Sequence, residues 1–369
     1  MVDLAIGGYT RQQVINQLHA LNGSRNIKFK YNLLNRDDVP QGELDVQSGR
    51  IGLDSLGEIK RTGSFTIKEK SGIDWLNDRI QPVFCLKMPD NKYIEWPLGI
   101  YIMSSPTRKN DNRTIRHEVD AYDASLILKE DCFDNRYRIV AGTKYASAVN
   151  TILASAGIWK INIPDHSGVI SVDKEFEIGT TKLTAVNQLL KEINYTSIWV
   201  DENGYFRAAP YVIPTSREIE YEYRNNSISL INTEATQEED LFAVPNKWIR
   251  VVSNPEKTVL VSSYTNDSAT SKTSTINRGR TIVNYESVDD IADQTTLDAY
   301  VKRIAYESSN IFGYFKFSTA LMPQHSFLDC IYVEHTEFGI STKYIETSWE
   351  MDLQVGGQMN HNLRRVIHI

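Results

Sequence analysis

Four residues near the C-terminal end have types that could bind a metal, namely His325, Asp329, Cys330 and His335. Histidine, thiolate and carboxylate groups are the usual protein ligands of transition metals. His325 and Asp329 are four positions apart, a spacing that places two side chains on one helix face. The stretch 327–333, however, is typical of a strand, in which residues at this spacing lie about 13 Å apart. We therefore interpret His325 as a turn residue before a strand and predict no metal site.

The other patterns with catalytic potential are weak. Glu238, Glu239 and Asp240 form the densest acidic run, which is typical of a solvated surface and not of the paired carboxylates of a glycosidase. Cys85 lies in an apolar strand pattern, which favours packing over nucleophilic chemistry. Trp96 and Trp349 also lie on strand patterns and are predicted to belong to the core.

The sequence contains none of the common signatures of catalysis or cofactor binding. Glycine-rich phosphate loops, the G-x-S-x-G turn and the H-E-x-x-H helix are all missing from it. No set of residues shows the converging acid, base and oxyanion-binding groups that an active site needs. We expect no enzymatic activity, no catalytic residues and no cofactor.

Two acidic strand faces stand out. Each consists of carboxylates at alternating positions, which a strand places on one side: Glu218, Glu220 and Glu222 in one face, and Glu346, Glu350 and Asp352 in the other. An ordinary solvent-exposed face is one interpretation. The other is the wall of a channel from which a polyanion must be repelled.

Composition and charge restrict the function classes. The 369 residues include 41% hydrophobic and 24% charged residues, the balance of a globular protein of two to four domains. The 40 basic and 47 acidic residues give a net charge of −7, which argues against sequence-independent nucleic-acid binding. The three cysteines fit neither a zinc spacing nor a disulfide framework. No apolar run is long enough for a membrane span, and residues 1–15 lack the features of a secretion signal, so we expect folding in the cytoplasm.

Hydrophobic periodicity predicts a mainly β protein with α+β inserts. Alternation of period two dominates the first third of the chain and returns after residue 211. Period 3.6 marks two helices, one beginning near Thr143 and the other near Thr180 or Thr181. A capping box at Thr10 and Gln13 begins an N-terminal helix. The stretch 264–280 is rich in serine and threonine and is predicted to be a mobile loop, with a helix following at 287–309.

These patterns give two β-barrel-like domains and two smaller inserts. The first β domain with its N-terminal helix spans 1–135, and an α+β insert spans 136–210. The second β domain combines 211–263 with 311–369, and the flexible loop and helical insert at 264–310 interrupt it. Several short strands joined by tight turns favour a barrel-like antiparallel arrangement.

Several long phrases of the sequence resemble a known family. The stretch 63–108 is similar to the N-terminal barrel of baseplate hub, or tail hub, proteins of tailed bacteriophages and prophage-derived tail-like particles. The stretch 187–212 resembles their insert, 240–254 and 319–335 resemble the second barrel, and 349–369 resembles the C-terminal end.

This resemblance implies a homotrimer in which two β-barrel tube domains per subunit, related by pseudo-symmetry, form a pseudo-sixfold ring. Such a ring joins the tail tube or distal tail protein to the central spike or tip protein, and DNA only passes through its lumen. The acidic faces would then repel phosphates over a Debye length of about 8 Å. The expected location is the tip of the virion tail, after assembly in the cytoplasm of the bacterial host.

Two other functions stay open on sequence grounds. Some members of the family carry a C-terminal peptidase or lysozyme-like extension, which makes a tail-associated cell-wall hydrolase one alternative; the resemblance ends within the hub, so we expect no such activity. A receptor- or carbohydrate-binding module is the other, and only the aromatic residues on strands favour it.

Overall fold

The computed structural model describes residues 1–21, 23–111, 114–226, 230–239, 241–252, 258–288, 291–310 and 313–365. Asp240 of the predicted acidic run and the last four residues of the C-terminal phrase lie outside these ranges.

The first β region follows an N-terminal helix. The predicted capping box is confirmed, because the Thr10 hydroxyl accepts a hydrogen bond from the Gln13 backbone N–H and the Gln13 side chain accepts one from the Thr10 N–H. The elements are α1 (Arg11–Leu18), β1 (Ile27–Leu34), β2 (Pro40–Glu43), β3 (Val46–Asp54), β4 (Arg61–Lys68), β5 (Arg79–Lys87), β6 (Tyr93–Pro97), β7 (Tyr101–Met103), β8 (Thr107–Asp111) and β9 (Thr114–Tyr122).

The segment between the two β regions forms a small α+β unit, which also includes residues before 136 that the prediction places in the first β domain. Its elements are α2 (Ser125–Glu130), β10 (Tyr137–Ile139), α3 (Tyr145–Ser155), β11 (Ile161–Asn162), β12 (Lys174–Phe176), α4 (Lys182–Glu192), β13 (Trp199–Val200) and β14 (Phe206–Arg207). The apolar stripes of α3 and α4 are buried in one cluster with Phe206 and Ile198. Gly204 adopts a φ of 82° in the turn between β13 and β14, a conformation that glycine adopts without strain.

The second β region encloses the second insert. A 3₁₀ turn at Pro214–Ser216 precedes β15 (Tyr221–Arg224) and β16 (Ile231–Glu239). The insert contains β17 (Lys247–Val252), β18 (Leu260–Thr265), α5 (Thr275–Arg278), β19 (Val283–Val288) and α6 (Gln294–Asn310). The chain then forms β20 (Gly313–Ala320), β21 (Cys330–His335), β22 (Ile340–Asp352) and β23 (Gln358–Arg365).

The two β regions share one 15-stranded sheet. Its main path runs β16-β20-β23-β22-β3-β4-β9-β7-β5-β1-β2, and β21 and β15 extend from β22. The regions meet where β22 pairs antiparallel with β3, with Glu350 opposite Gly52. One apolar cluster therefore includes Phe65 and Trp96 of the first region together with Phe315 and Trp349 of the second.

The strand order is the same in both regions. In the first region the order is β3-β4-β9-β7-β5-β1, and in the second it is β16-β20-β23-β22-β21-β15. Neighbouring strands are antiparallel throughout, except that β15 and β21 are parallel. The two regions thus share one order of six strands but differ in the direction of the last strand.

Three details of the organisation predicted for residues 247–309 are wrong. The strand at 247–252 was assigned to the second β domain, but it is the central strand of a separate three-stranded sheet, β18-β17-β19, packed on α6. The stretch 264–280 is not an open loop, because Asn266 and Ser274 are buried and its polar groups bond to one another. The helix begins at Gln294, since β19 continues to Val288.

Among the helices in the described ranges, none is both long and apolar enough to cross a lipid bilayer.

Candidate functional site

Strand β22 carries one of the two predicted acidic faces. Trp349 and Met351 are buried on one side of it, whereas Glu350 and Asp352 lie on the opposite, solvent-accessible side. The strand pairs with β3 on one edge and with β23 on the other. Glu350 and Asp352 therefore lie at the junction between the two β regions.

Arg50 pairs with both of these partly exposed carboxylates. Arg50 Nη1 lies 2.8 Å from Glu350 Oε1, and Arg50 Nε lies 2.8 Å from Asp352 Oδ1. The Glu350 charge, followed by the bond to Asp352, raises the pKa of Arg50. Arg50 neutralises part of this acidic face, so the face repels phosphate less strongly than the sequence alone suggests.

The face that contains these residues is polar on both sides of the junction. The register places Ser64 opposite Arg50 and Asp120 opposite Ser64 in the first region, and Asn360 opposite Glu350 in the second. Both Ser64 and Asp120 are exposed. The sheet therefore presents one mixed-charge surface across the two regions, which we call the polar face.

Glu346, the third member of this predicted acidic face, does not belong to it. Its side chain has no exposed area. The pairing of β22 with β23 shifts between Glu346 and Ser348, so Thr347 is an extra, bulged residue. One inserted residue reverses the alternation of faces, and Glu346 therefore points into the core. The prediction that Glu346 faces a channel is wrong.

The buried Glu346 carboxylate bridges two histidines. Glu346 Oε2 lies 2.5 Å from His325 Nδ1, and Glu346 Oε1 lies 2.6 Å from His361 Nδ1. The second ring nitrogen of each histidine also has a partner, since His325 Nε2 contacts the Tyr223 hydroxyl at 2.7 Å and His361 Nε2 contacts the Thr319 hydroxyl at 2.8 Å. We call His325, Glu346 and His361 the histidine cluster.

The three groups of the histidine cluster differ in how they titrate. Burial would raise the pKa of Glu346, but the two histidines outweigh it and lower that pKa to about 2. Burial would lower the pKa of His325, but Glu346 and Asp329 outweigh it and raise that pKa. Burial prevails at His361, whose pKa is lowered despite Glu346. The cluster thus favours an ionised Glu346 carboxylate, and His325 binds a proton more readily than His361 does.

The histidine cluster is the one group of three potential metal ligands found within the described ranges. A metal bound at about 2.1 Å holds its separate ligands about 3 Å or more from one another. The contacts of Glu346 with the two histidines, 2.5 and 2.6 Å, are shorter than that and correspond to short, direct hydrogen bonds between the carboxylate and the ring nitrogens. The geometry therefore fits a shared-proton network better than a metal centre.

The other predicted acidic face is divided. Glu218 is exposed, and Glu222 pairs with Arg224 on the surface. Glu220 is partly buried and accepts hydrogen bonds from the Met1 amino group at 2.9 Å and from the Cys330 backbone N–H at 2.7 Å. The amino group outweighs burial and lowers the pKa of Glu220. These contacts give Glu220 a structural role within the subunit.

The remaining sequence interpretations have clear outcomes. Trp96 and Trp349 belong to the core, as predicted. Cys85 is also buried, and this burial raises the pKa of its thiol to about 11, which disfavours the thiolate. His325 does precede the predicted strand, β21, but it is part of a buried cluster that the sequence analysis missed.

A signal for the cluster was present in the sequence. His361 takes the inward position between Met359 and Leu363 on β23, where a polar side chain needs a buried partner. Its partners come from the preceding strand and from a turn more than thirty residues away, so the periodicity of β23 alone could not identify them.

Comparison with solved structures identifies the fold. The structure aligns with the tail protein from Neisseria meningitidis MC58 with a TM-score of 0.66 and 12% identity, over 92% of this chain and 97% of that one. The 43 kDa tail protein of prophage MuSo2 from Shewanella oneidensis aligns with a TM-score of 0.63 and 11% identity, over 91% and 98%. Prophage tail protein gp18 from Listeria monocytogenes EGD-e gives 0.56 and 11%, over 91% and 94%.

No family model and no curated protein sequence matches the chain. At 8–12% identity the likeness to solved structures concerns the fold alone. The chain therefore has, over nearly its whole length, the mainly β fold of phage and prophage tail proteins.

Proposed function

We propose that this protein is a structural component of a phage or prophage tail tip. In this role three copies form a pseudo-sixfold hub ring that joins the tail tube, or a distal tail protein, to the central spike or tip protein. The ring leaves a channel for DNA. The fold shared with tail proteins over more than nine tenths of the chain supports a role in the tail.

The observation that carries the hub proposal is the pairing of β22 with β3. It joins two regions of the same strand order into one continuous sheet with a polar face on one side. A ring built from three such chains has six similar segments around its axis, which would match a sixfold tube on one side and a threefold spike on the other.

The polar face suits the lining of a DNA channel. A lumen that passes DNA must hold no array of unpaired cations, since these bind phosphates by releasing counterions. Arg50, the basic residue at the junction, is held between Glu350 and Asp352. In this proposal, Glu350 and Asp352 face the lumen, whereas Glu346 stabilises the wall.

The proposed role is structural and not enzymatic. The titratable groups of the histidine cluster are buried and hydrogen-bonded to one another. A substrate has no access to them, so their contribution is to stability.

Assembly provides the test. In a phage or tail-like particle that encodes this chain, we expect a deletion of its gene to yield no complete tails, and complementation to restore them. Mass spectrometry of purified tails should find three copies of the chain per particle. Complete tails without the chain would contradict a role in the tail, and six copies or one copy per tail would contradict the trimeric ring.

A further inference from the structure

The internal junction between the two β regions is the pairing of β22 with β3, and the strand order defines its counterpart at the outer edges of the sheet. The two regions have the same strand order, so β3 corresponds to β16 and β9 corresponds to β23. Strand β22 lies between β21 and β23. In the first region, the stretch that contains β7 and β8 lies between the equivalent strands, β5 and β9. Strand β22 therefore corresponds to this stretch. The junction itself, β22 with β3, then has a counterpart: β8 with β16.

Neither strand of this counterpart has a strand partner on its second edge within the part of the chain that the structure describes. Within the described ranges β8 pairs only with β9, and β16 pairs only with β20. Open edges present unpaired backbone N–H and C=O groups and are natural sites for strand addition. In the same positions of the internal junction, β22 and β3 satisfy each other's backbone groups.

The two edges are not paired with each other within one chain. Seven strand pairings lie between β16 and β8 along the path of the sheet. A pairing of these edges then involves a second copy of the chain. Because the contact joins two different edges, it is heterologous and propagates from copy to copy until a ring closes.

The charges of the two edges are complementary. The register of β8 with β9 places Lys109 opposite Arg116, on the polar face. The register of β16 with β20 places Glu238 opposite Tyr314, on the same face. Glu234 is a further exposed carboxylate of β16. Lys109 is half exposed and already contacts Glu118 at 2.6 Å, so a carboxylate from β16 would join an existing ion pair.

We propose that β8 (Thr107–Asp111) of one copy pairs antiparallel with β16 (Ile231–Glu239) of the next, and that Lys109 and Glu238 lie together at this contact. The proposal rests on the proposed ring, and it assigns the strands that close it. The sheet then continues from subunit to subunit, and its polar face forms one surface around the ring.

Cross-linking between engineered cysteines tests the assignment. Lys109→Cys and Thr236→Cys are combined in a Cys132→Ser background, since Cys132 is the exposed native cysteine. A short bis-maleimide should link them between copies, since β8 and β16 are not paired with each other within one chain. We expect linked dimers and trimers, with the trimer as the largest species, in the purified protein or in assembled tails. Each single-cysteine variant is a matched control and should stay unlinked.

A charge exchange provides the second test. Lys109→Glu and Glu238→Lys should each weaken self-association by about fivefold or more, and the double variant should recover most of the loss. Glu43→Lys, the same change on the edge strand β2, should have no effect. Thermal unfolding of each variant establishes that it is folded.

The outcomes separate this assignment from the proposed function. Three copies per tail without a cross-link between β8 and β16 in assembled tails would contradict the assignment and leave the ring intact. A failure of the double variant to recover association would also contradict it. Absence of the chain from tails would instead contradict the proposed function.

Discussion

Strand β22 contains two acidic environments only four residues apart. Glu350 is exposed and pairs with Arg50 at the surface, whereas Glu346 is fully buried between two histidines. The same residue type on the same strand thus contributes surface charge at one position and pairs with two buried histidines at the other. The bulge at Thr347 separates them, which shows that one inserted residue decides the role of a carboxylate.

Deletion of Thr347 should have the largest effect. Without the bulge, either Glu346 turns to solvent and leaves the histidines unpaired, or Trp349 and Met351 leave the core. We expect the variant to be unfolded or insoluble, as judged by circular dichroism and solubility. Conversion of Thr347 to serine keeps the bulge and serves as the control. A folded deletion variant of wild-type stability would show that the bulge does not set the two environments.

Glu346→Gln should destabilise the protein by about 3–5 kcal/mol. The substitution removes the buried charge that pairs with both histidines and leaves at least one ring nitrogen without an ionic partner. The free energy of unfolding from denaturant titration at neutral pH provides the measurement. A loss below about 1 kcal/mol would mean that Glu346 contributes no more than a surface carboxylate.

The histidine cluster should make stability sensitive to acid. The pKa of His361 is lowered in the folded protein, so below about pH 6.5 the unfolded chain binds a proton that folded His361 resists, and stability falls as the pH decreases. The raised pKa of His325 acts at higher pH and adds stability that is fully present below about pH 6.5. His361→Gln should therefore show a flatter decline between about pH 6.5 and 5 than the wild type in denaturant titrations. An unchanged slope would contradict the coupling.

Glu350→Gln should have the smallest effect, about 0–1 kcal/mol. The carboxylate is 42% exposed and its pair with Arg50 is screened by solvent. The same denaturant titration compares it directly with Glu346→Gln. A loss as large as that of the buried site would remove the distinction between the two environments.

The sequence predicted the local elements more accurately than their assembly. The capping box at Thr10, the helices after Thr143 and Thr181 and the exposure of Glu350 follow from short-range patterns, which act within a few residues. The helix predicted from 287 begins only at Gln294, because a serine at a possible cap position also fits the end of a strand.

Features that depend on long-range pairing could not be read from the sequence. Nothing in the alternation of 247–252 indicates which sheet that strand joins. The bulge at Thr347 arises from a register shift in the pairing of β22 with β23. Because this shift is not visible in the sequence, the predicted face of Glu346 is the opposite of the observed one. The histidine cluster unites residues from a turn and two strands, and only the folded chain brings them together.

A cryo-electron microscopy map of the assembled tail tip tests the central claim most directly. The account predicts three copies of the chain around the tail axis, with Arg50, Glu350 and Asp352 on the lumen wall and Glu346 within it. A map in which the chain is a single peripheral copy, or in which the polar face points away from the axis, would contradict the account.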